Sequence, residues 1–328
     1  MKFAEFEAFR TKLLSAHSNV LDCAETNVYR ALSNWAVPPT SMSETRVHRC
    51  HLASEWTSYF GFEPAIAGRV LVSCGVRDSL TRLFAHYSTE RARLWLPEDN
   101  YPAYGELATN AKLSYRTFKT LPEPRWPATE PDTGRELLLV TNPLKPRARW
   151  LSDTDIEALS TWLAKSPARR LLLDVVYTFA TRFDAATLRL FDTNQTIILH
   201  SVTKGWLHPR LFGVALVPAQ DTVDLKPIFR AVAPTQQSLT RAREMLGAHA
   251  KMPGLLAAQL VRAREQLLNA LPADAPIPWV CDAPGYFAPV SALWSDLLDQ
   301  HRVLGIPATA FGSSQEHITI LSSLSFLP

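Results

Sequence analysis

The sequence predicts an α/β protein in which a mostly parallel mixed sheet lies between two layers of helices, followed by a smaller α+β unit. Short apolar runs alternate with helical patterns through the first two thirds of the chain, and the runs are continuous rather than alternating in polarity. Continuous runs are typical of strands that are covered on both faces of a sheet. After about residue 225 this order stops, and two long amphipathic stretches lead to a few short apolar pieces.

Six apolar runs are predicted to be buried strands, because each is short and bounded by turn residues or helical patterns. They are RVLVS (69–73), RLWLP (93–97), ELLLV (136–140), RLLLD (170–174), TIILHS (196–201) and FGVALV (212–217).

Helical patterns separate these strands, as in 76–88 and 152–166. In the second pattern Ser152 precedes Asp155 by three residues, which is the spacing of a capping box. The last third of the chain predicts two helices, then short apolar pieces with one more helix between the second and third. The two helices are 236–250 and 252–271, the pieces are 277–280, 285–290 and 317–321, and the third helix is 291–305.

A length of 328 residues accommodates one large domain and a smaller one. We expect residues 26–225 to form the large domain and residues 226–328 the small one. Residues 1–25 are expected to pack on the small domain or on a partner subunit.

Composition excludes several classes of protein. Hydrophobic residues make up 47% and charged residues 20% of the chain, as in an ordinary globular protein. A net charge of +3 is too small to indicate binding to nucleic acid or to an acidic membrane. The N-terminus lacks the apolar core of a signal peptide, and no apolar run approaches the length of a membrane span. Four cysteines without metal-type spacing predict free thiols, no metal site and a cytoplasmic location.

Polar residues follow the predicted strands at their carboxyl ends, where open α/β sheets bind ligands. Gly75 opens a helix, whose N-terminus can bind an anion. Lys204 follows a buried strand, and a buried lysine can lose its proton and form a Schiff base. Asp174 ends another strand and can keep a ring nitrogen protonated. Together these groups fit the requirements of pyridoxal phosphate.

The ordered set of segments resembles the fold-type I pyridoxal-phosphate enzymes of the aspartate aminotransferase superfamily. The size is similar to that of the histidinol-phosphate aminotransferase-like and threonine-phosphate decarboxylase-like branches, and the resemblance runs from about VLDCAETN to the C-terminus. SVTKGW resembles the family's Ser-x-Ser-Lys segment, which implies that Lys204 is the Schiff-base lysine. LLLDVVY resembles the strand ending in Asp-x-x-Tyr, which implies that Asp174 pairs with the pyridinium nitrogen and Tyr177 bonds the phenolic oxygen.

The resemblance also implies the other contacts to the cofactor. NYPAYGELA resembles the Pro-x-Tyr segment, so Tyr101 is expected to stack on the ring. The remaining expected contacts are to the phosphate, from the amides of Gly75, Val76 and Arg77 and from Ser201, Thr203 and Arg210.

The chain departs from the family in four places. In NPLKPRA Asn142 is retained, but Lys145 stands where the second asparagine of the family touches the ring oxygen. Either Asn142 takes over this contact or the ring hydroxyl is held differently. The loop from Lys204 to Arg210 is two residues shorter than usual, so Arg77 could replace Arg210 at the phosphate. The other two departures are Val175 in place of an acid, and Thr319 where the carboxylate-binding arginine is expected, with His317 as the nearest cation.

The leading functional hypothesis is a pyridoxal-phosphate enzyme that acts on a small amine or amino acid, with aminotransfer as the default reaction. The missing arginine favours a specialised substrate of secondary metabolism, since arginine is the usual bidentate partner of a carboxylate. Decarboxylation, β/γ-elimination or replacement, and cyclisation remain alternatives on this fold. A catalytically degenerate binding module is a second alternative. The resemblance also implies a homodimer with sites at its interface.

Overall fold

The computed structural model describes residues 1–32, 46–99, 102–128, 134–208 and 211–327. The strands are β1 (Leu21–Asp22), β2 (Val70–Ser73), β3 (Arg93–Pro97), β4 (Tyr115–Phe118), β5 (Glu136–Thr141), β6 (Arg170–Asp174), β7 (Thr196–Ser201), β8 (Gly213–Leu216), β9 (Phe287–Val290), β10 (Val303–Leu304), β11 (Ile306–Pro307) and β12 (Thr319–Ser322). The helices are α1 (Phe3–Ala16), α2 (Val28–Ala31), α3 (Arg49–Tyr59), α4 (Val76–Thr89), α5 (Ala103–Asn110), α6 (Asp153–Ala164), α7 (Ala185–Phe191), α8 (Val202–Gly205), α9 (Thr222–Ala231), α10 (Gln236–Leu246), α11 (Met252–Ala270) and α12 (Trp294–His301).

A seven-stranded mixed sheet in the order β2-β8-β7-β6-β5-β3-β4 forms the centre of the molecule. β8 is antiparallel to both of its neighbours, and the other pairs are parallel. The predicted fold class is therefore confirmed. All six predicted strands are present, and the capping box of α6 is formed, with the Ser152 hydroxyl accepting from the Asp155 N–H.

Side chains of the central strands alternate between two apolar clusters, one on each face of the sheet. In β5, Leu138 and Val140 belong to one cluster, and Leu137 and Leu139 belong to the other. Because both faces are covered by helices, neither set of side chains faces water, which explains why the strands read as continuous apolar runs.

One apolar piece of the last third forms no strand, and one edge strand of the central sheet was missed. The segment 277–280 forms no strand, and Ile277 and Val280 are exposed. Prolines at 276 and 278 cannot donate to a strand ladder, which accounts for the failure. Conversely, the edge strand Tyr115–Phe118 was not predicted, because its first three side chains are exposed and form no apolar run.

The N-terminal helix packs on elements of the C-terminal third. Phe3 contacts Phe311, and Phe9 contacts the ring of Trp294 edge-on. β1 pairs in parallel with β10, while β11, β12 and β9 form a three-stranded antiparallel sheet. In the described residues, no helix combines the length and the apolarity that crossing a lipid bilayer requires.

His200 lies near the end of β7 within an aromatic cluster. Its Nδ1 accepts a hydrogen bond of 3.2 Å from the indole of Trp56, and its ring packs against Phe60, Phe183 and Trp206. Burial among these rings lowers the pKa of His200 to about 3. The native protein therefore holds a neutral imidazole just before the segment that carries Lys204.

Gly213 begins β8 at the point where three chain segments meet. It lies in register with Ser73 of β2 on one side and Ser201 of β7 on the other. A Cβ atom at Gly213 would lie only 2.5 Å from Cα of Gly75. A glycine is thus required for β8 to pass this close to the turn before α4.

We expect Gly213→Ala to lower the free energy of unfolding by about 1–3 kcal/mol, since the added methyl group collides with backbone. Denaturant unfolding checks this value. Gly254→Ala is the matched control, because nothing lies within 4 Å of its added Cβ on α11. There, alanine is expected to stabilise the protein by about 0.5–1 kcal/mol. Equal effects of the two substitutions would contradict the close packing of β8 on Gly75.

We expect the protein to lose stability as the pH falls below about 6.5, since the unfolded chain protonates His200 and the native state does not until about pH 3. This one group contributes a slope of about 1.4 kcal/mol per pH unit within that window. Urea unfolding between pH 4 and pH 7 should show a shallower slope for His200→Phe. The exposed His317 gives the control variant His317→Gln, and an unchanged slope in His200→Phe would argue against a neutral buried imidazole.

Candidate active site

Four parallel strands end at the same edge of the central sheet and bring polar residues together there. β2, β5, β6 and β7 end at Ser73, Thr141, Asp174 and Ser201. Thr141 and Asp174 are paired in register. The antiparallel β8 starts at this edge, so its Gly213 lies between the ends of β2 and β7. The order of the strands thus determines which side chains meet.

Lys204 lies on α8, the single turn that follows β7. Ser201 caps this turn by accepting a hydrogen bond from the Thr203 N–H. The Lys204 side chain is half-buried, and its Nζ lies 5.5 Å from the ring centroids of both Tyr29 and Tyr177. The Tyr29 hydroxyl also donates to the carbonyl of Thr203 at 3.1 Å. The amine of Lys204 therefore lies near two tyrosine rings.

Asp174 is buried at the end of β6 and has two hydrogen-bond donors. The Tyr104 hydroxyl donates to its Oδ2 at 2.6 Å, and the Val176 N–H donates to its Oδ1 at 3.0 Å. Burial raises the pKa of Asp174 above its ordinary value, while these two hydrogen bonds and the charges of Lys204 and Lys145 oppose the rise. The carboxyl group is thus held in a fixed orientation close to both lysines.

Tyr177 contacts the small C-terminal unit through its hydroxyl, which lies 2.9 Å from the hydroxyl of Tyr286. Tyr286 in turn donates to the carbonyl of Thr26. Burial, followed by the neighbouring Tyr286, raises the pKa of Tyr177 well above its ordinary value. Tyr177 therefore acts as a neutral phenol that connects the sheet, the N-terminal segment and β9.

The turn before α4 has the geometry of an anion site. Gly75 caps the helix with φ of +132°, a conformation that favours glycine, and its N–H faces the Ser73 hydroxyl at 3.3 Å. The first N–H groups of a helix, here those after Gly75, have no acceptor within the helix. The Thr203 hydroxyl lies 4.0 Å from the position of a Cβ on Gly75, so α8 borders the same turn.

The other residues of this turn differ in exposure and charge. Val76 is buried and Arg77 is exposed. Asp78 lies in the first turn of α4, where its carboxylate pairs with the guanidinium of Arg82 through two hydrogen bonds of 3.0 Å and 2.8 Å. Its charge is thereby compensated, and it does not leave an unpaired anion beside the N-terminus of the helix.

Asn142 uses its whole amide group for contacts within the protein. Its Nδ2 donates to Asp184 and Thr187 at the start of α7, and its Oδ1 accepts from the Leu151 N–H. The contact to the cofactor ring that was expected of Asn142 stays a prediction.

Lys145 points into the region between the strand ends and the small C-terminal unit. The segment 141–149 folds back on itself, with the Lys145 N–H donating to the Thr141 hydroxyl. The Lys145 Nζ lies 3.6 Å from the centroid of the Tyr177 ring. Lys145, at the register position of the second asparagine, is therefore the residue of NPLKPRA that faces Tyr177.

The C-terminal positions show no cation directed at these groups. The Thr319 hydroxyl donates to the Ala292 carbonyl at 2.7 Å, and His317 is exposed. Tyr101 and Arg210, predicted to contact the ring and the phosphate, lie outside the described residues.

Sequence reasoning missed three tyrosines that approach the predicted residues. Tyr104 contacts Asp174, Tyr29 lies over Lys204, and Tyr286 pairs with Tyr177. Tyr104 stands within NYPAYGELA, which was matched to the family, but single aromatic residues have no spacing signal of their own.

No protein-family model and no curated protein matches the sequence. Solved structures do match over nearly the whole chain. An aspartate aminotransferase of Thermus thermophilus, studied as a double mutant, has a TM-score of 0.72 at 16% identity, covering 99% of this chain and 92% of its own. The aspartate aminotransferase of Rhizobium meliloti has a TM-score of 0.71 at 15% identity, covering 98% and 93%.

A third similar structure is an Escherichia coli protein described as having a methionine aminotransferase function, with a TM-score of 0.69 at 16% identity, covering 98% of this chain and 92% of its own. At such low identity the likeness concerns the fold. The chain has the fold of these aminotransferases.

Proposed function

We propose that the protein binds pyridoxal phosphate and uses it to transfer the amino group of a small amine or amino acid. The observation that carries this proposal is the meeting of an amine, a carboxylate and a helix N-terminus at one edge of the sheet. Lys204, Asp174 and the turn at Gly75 come from three separate segments, yet they border the same region.

The residues fit the chemical groups of this cofactor. The turn at Gly75, with Val76, Arg77, Ser201 and Thr203, offers N–H and hydroxyl donors to a phosphate. The carboxylate of Asp174 would hold a protonated ring nitrogen, and the Tyr177 hydroxyl would bond the phenolic oxygen of the ring. Tyr101, Asn142 and Arg210 are further expected contacts.

When bound, pyridoxal phosphate supplies an electron sink for the bond that breaks at the substrate's α-carbon. Lys204 would hold the aldehyde through its amine. Once the substrate's amino group has displaced it, the freed amine of Lys204 would accept and return the proton of the α-carbon. Tyr29 and Tyr177 limit the space in which this amine can move, because the centroids of both rings lie 5.5 Å from it. The burial of Asp174 excludes water from the group that would carry the ring's counter-charge.

The proposal includes the wider expectations of the resemblance, namely a homodimer, a cytoplasmic location and a role in a specialised biosynthetic pathway. His317 is exposed, and the Thr319 hydroxyl is already hydrogen-bonded to the Ala292 carbonyl. Both observations support a substrate that is recognised differently from those of common aminotransferases.

We expect the protein loaded with pyridoxal phosphate to show a visible absorbance band that borohydride removes, and Lys204→Ala to lack that band. The reason is that the band requires a covalent bond between the aldehyde and an amine, which Lys204 provides. Lys165→Ala, at an exposed lysine, is the control and should keep the band. A wild-type protein that stays colourless after loading would refute the proposal and favour a binding module.

Formation of a keto product would identify aminotransfer, whereas release of carbon dioxide or ammonia would indicate decarboxylation or elimination.

We expect Tyr104→Phe to weaken the binding of pyridoxal phosphate about ten-fold, the value of one hydrogen bond to a charged group. The hydrogen bond from Tyr104 lowers the pKa of Asp174, so its loss leaves the ionised carboxylate less stabilised against burial. Retention of the cofactor is measured by its absorbance after dialysis. The pH at which the absorbance of the bound cofactor has completed half of its change should be higher in Tyr104→Phe. Tyr115→Phe, on the exposed edge strand, is the control. Identical retention by wild type and Tyr104→Phe would show that the Asp174 contact has no part in binding.

A further inference from the structure

Lys145 is a buried lysine with few hydrogen-bond partners. Its side chain is among the buried polar groups, with 6% of the residue exposed. An ammonium group has three N–H donors. Within the described residues its Nζ contacts one acceptor, the Pro284 carbonyl, at 3.4 Å, and otherwise lies over the ring of Tyr177. That distance is longer than an ordinary N–H···O hydrogen bond, so most of the donor capacity of Lys145 is unused.

The surroundings of Lys145 carry more positive than negative charge. Burial lowers the pKa of Lys145 well below its ordinary value, and the positive charges of Arg264 and Lys204 add to this effect. Burial also raises the pKa of the Cys281 thiol, which therefore stays neutral. The titratable groups that act on or contact Lys145 are Arg264, Lys204, Cys281, Asp174 and Tyr177. Asp174 is the carboxylate of this set.

Arg264 of α11 is a cation and supplies no counter-charge to Lys145, but it holds in place the segment 281–285 that packs against Lys145. Its guanidinium donates to the carbonyls of Cys281, Ala283 and Gly285 at 2.8, 3.0 and 2.7 Å. These bonds hold the segment before β9 against Lys145. A Cβ at Gly285 would lie 2.7 Å from the Lys145 Nζ, and the φ of +145° also requires glycine there. The backbone at Gly285 thus closes off the amine of Lys145 on this side.

We propose that Lys145 binds the carboxylate of the substrate, in place of the arginine that the family has near its C-terminus. This inference rests on the proposed function and specifies the substrate as an amino acid rather than a plain amine. A carboxylate would accept hydrogen bonds from the unused N–H donors of Lys145. It would also compensate the positive charges of Arg264 and Lys204 and that of Lys145 once this amine is protonated. Thr319 cannot replace it, because its hydroxyl is engaged by Ala292.

Binding of a carboxylate at Lys145 is coupled to a proton. In the free protein burial favours the neutral amine, whereas a bound anion favours the ammonium form. The pKa of Lys145 therefore rises on binding, and the protein takes up a proton. Affinity for the anion is highest below the pKa of the free amine and decreases as the pH rises above it.

The test compares propionate with propionamide, which has the same shape and no charge. Each is titrated by calorimetry into the protein loaded with pyridoxal phosphate, in two buffers of different ionisation enthalpy, so that proton uptake is measured directly. The absorbance of the bound cofactor is followed in parallel. The proteins are wild type, Lys145→Met, Lys145→Gln as a second variant, and Lys165→Met as a control at an exposed lysine.

We expect wild type and Lys165→Met to bind propionate with uptake of a proton and to bind propionamide at least about ten-fold more weakly. Both Lys145 variants should fold, since they remove a buried amine, and should lose the preference and the proton uptake. The inference would be overturned if either folded Lys145 variant preferred propionate to propionamide as strongly as wild type does. It would also be overturned if wild type bound propionate and propionamide equally well. Protein that cannot be loaded with pyridoxal phosphate would instead refute the proposed function and this inference with it.

Discussion

Desolvation of ionisable groups at the carboxyl edge of the central sheet is the constraint on which the site depends. Burial is the largest cause of the shifted pKa values of Asp174, Lys145, Tyr177 and His200. In water these groups would be charged or neutral according to their ordinary pKa. Here the sheet, covered on both faces, keeps them in a medium where a charge must be compensated by a neighbour. The compensating contacts therefore determine what the site can bind.

Those contacts join parts of the chain that are far apart in sequence. Tyr286, just before β9, reaches Tyr177 of the large sheet, and Tyr29 of the N-terminal segment reaches Thr203 beside Lys204. Arg264 holds the segment 281–285 against Lys145. The N-terminal segment and the C-terminal unit thus complete a site whose first groups come from the sheet.

The backbone of the site is determined by close packing as much as by hydrogen bonds. Gly213 permits β8 to pass beside Gly75, and Gly285 leaves room for the amine of Lys145. At both positions a methyl group would displace a group that the proposed chemistry needs. Glycines at such points explain how a chain with only 12 of them can still form tight turns at its functional edge.

Sequence alone determined six of the seven strands of the central sheet, their order along the chain and the residues at their carboxyl ends, because burial on both faces produces continuous apolar runs. It also predicted Lys204, Asp174 and Tyr177 as site residues, since their segments resemble a known family. The tertiary structure decided what those residues contact. Asn142 and Lys145 stand three residues apart, and only the fold directs one towards α7 and the other towards Tyr177. The partners Tyr104, Tyr29 and Tyr286 had no signal in the sequence, because contacts between distant segments depend on how the chain packs rather than on local periodicity.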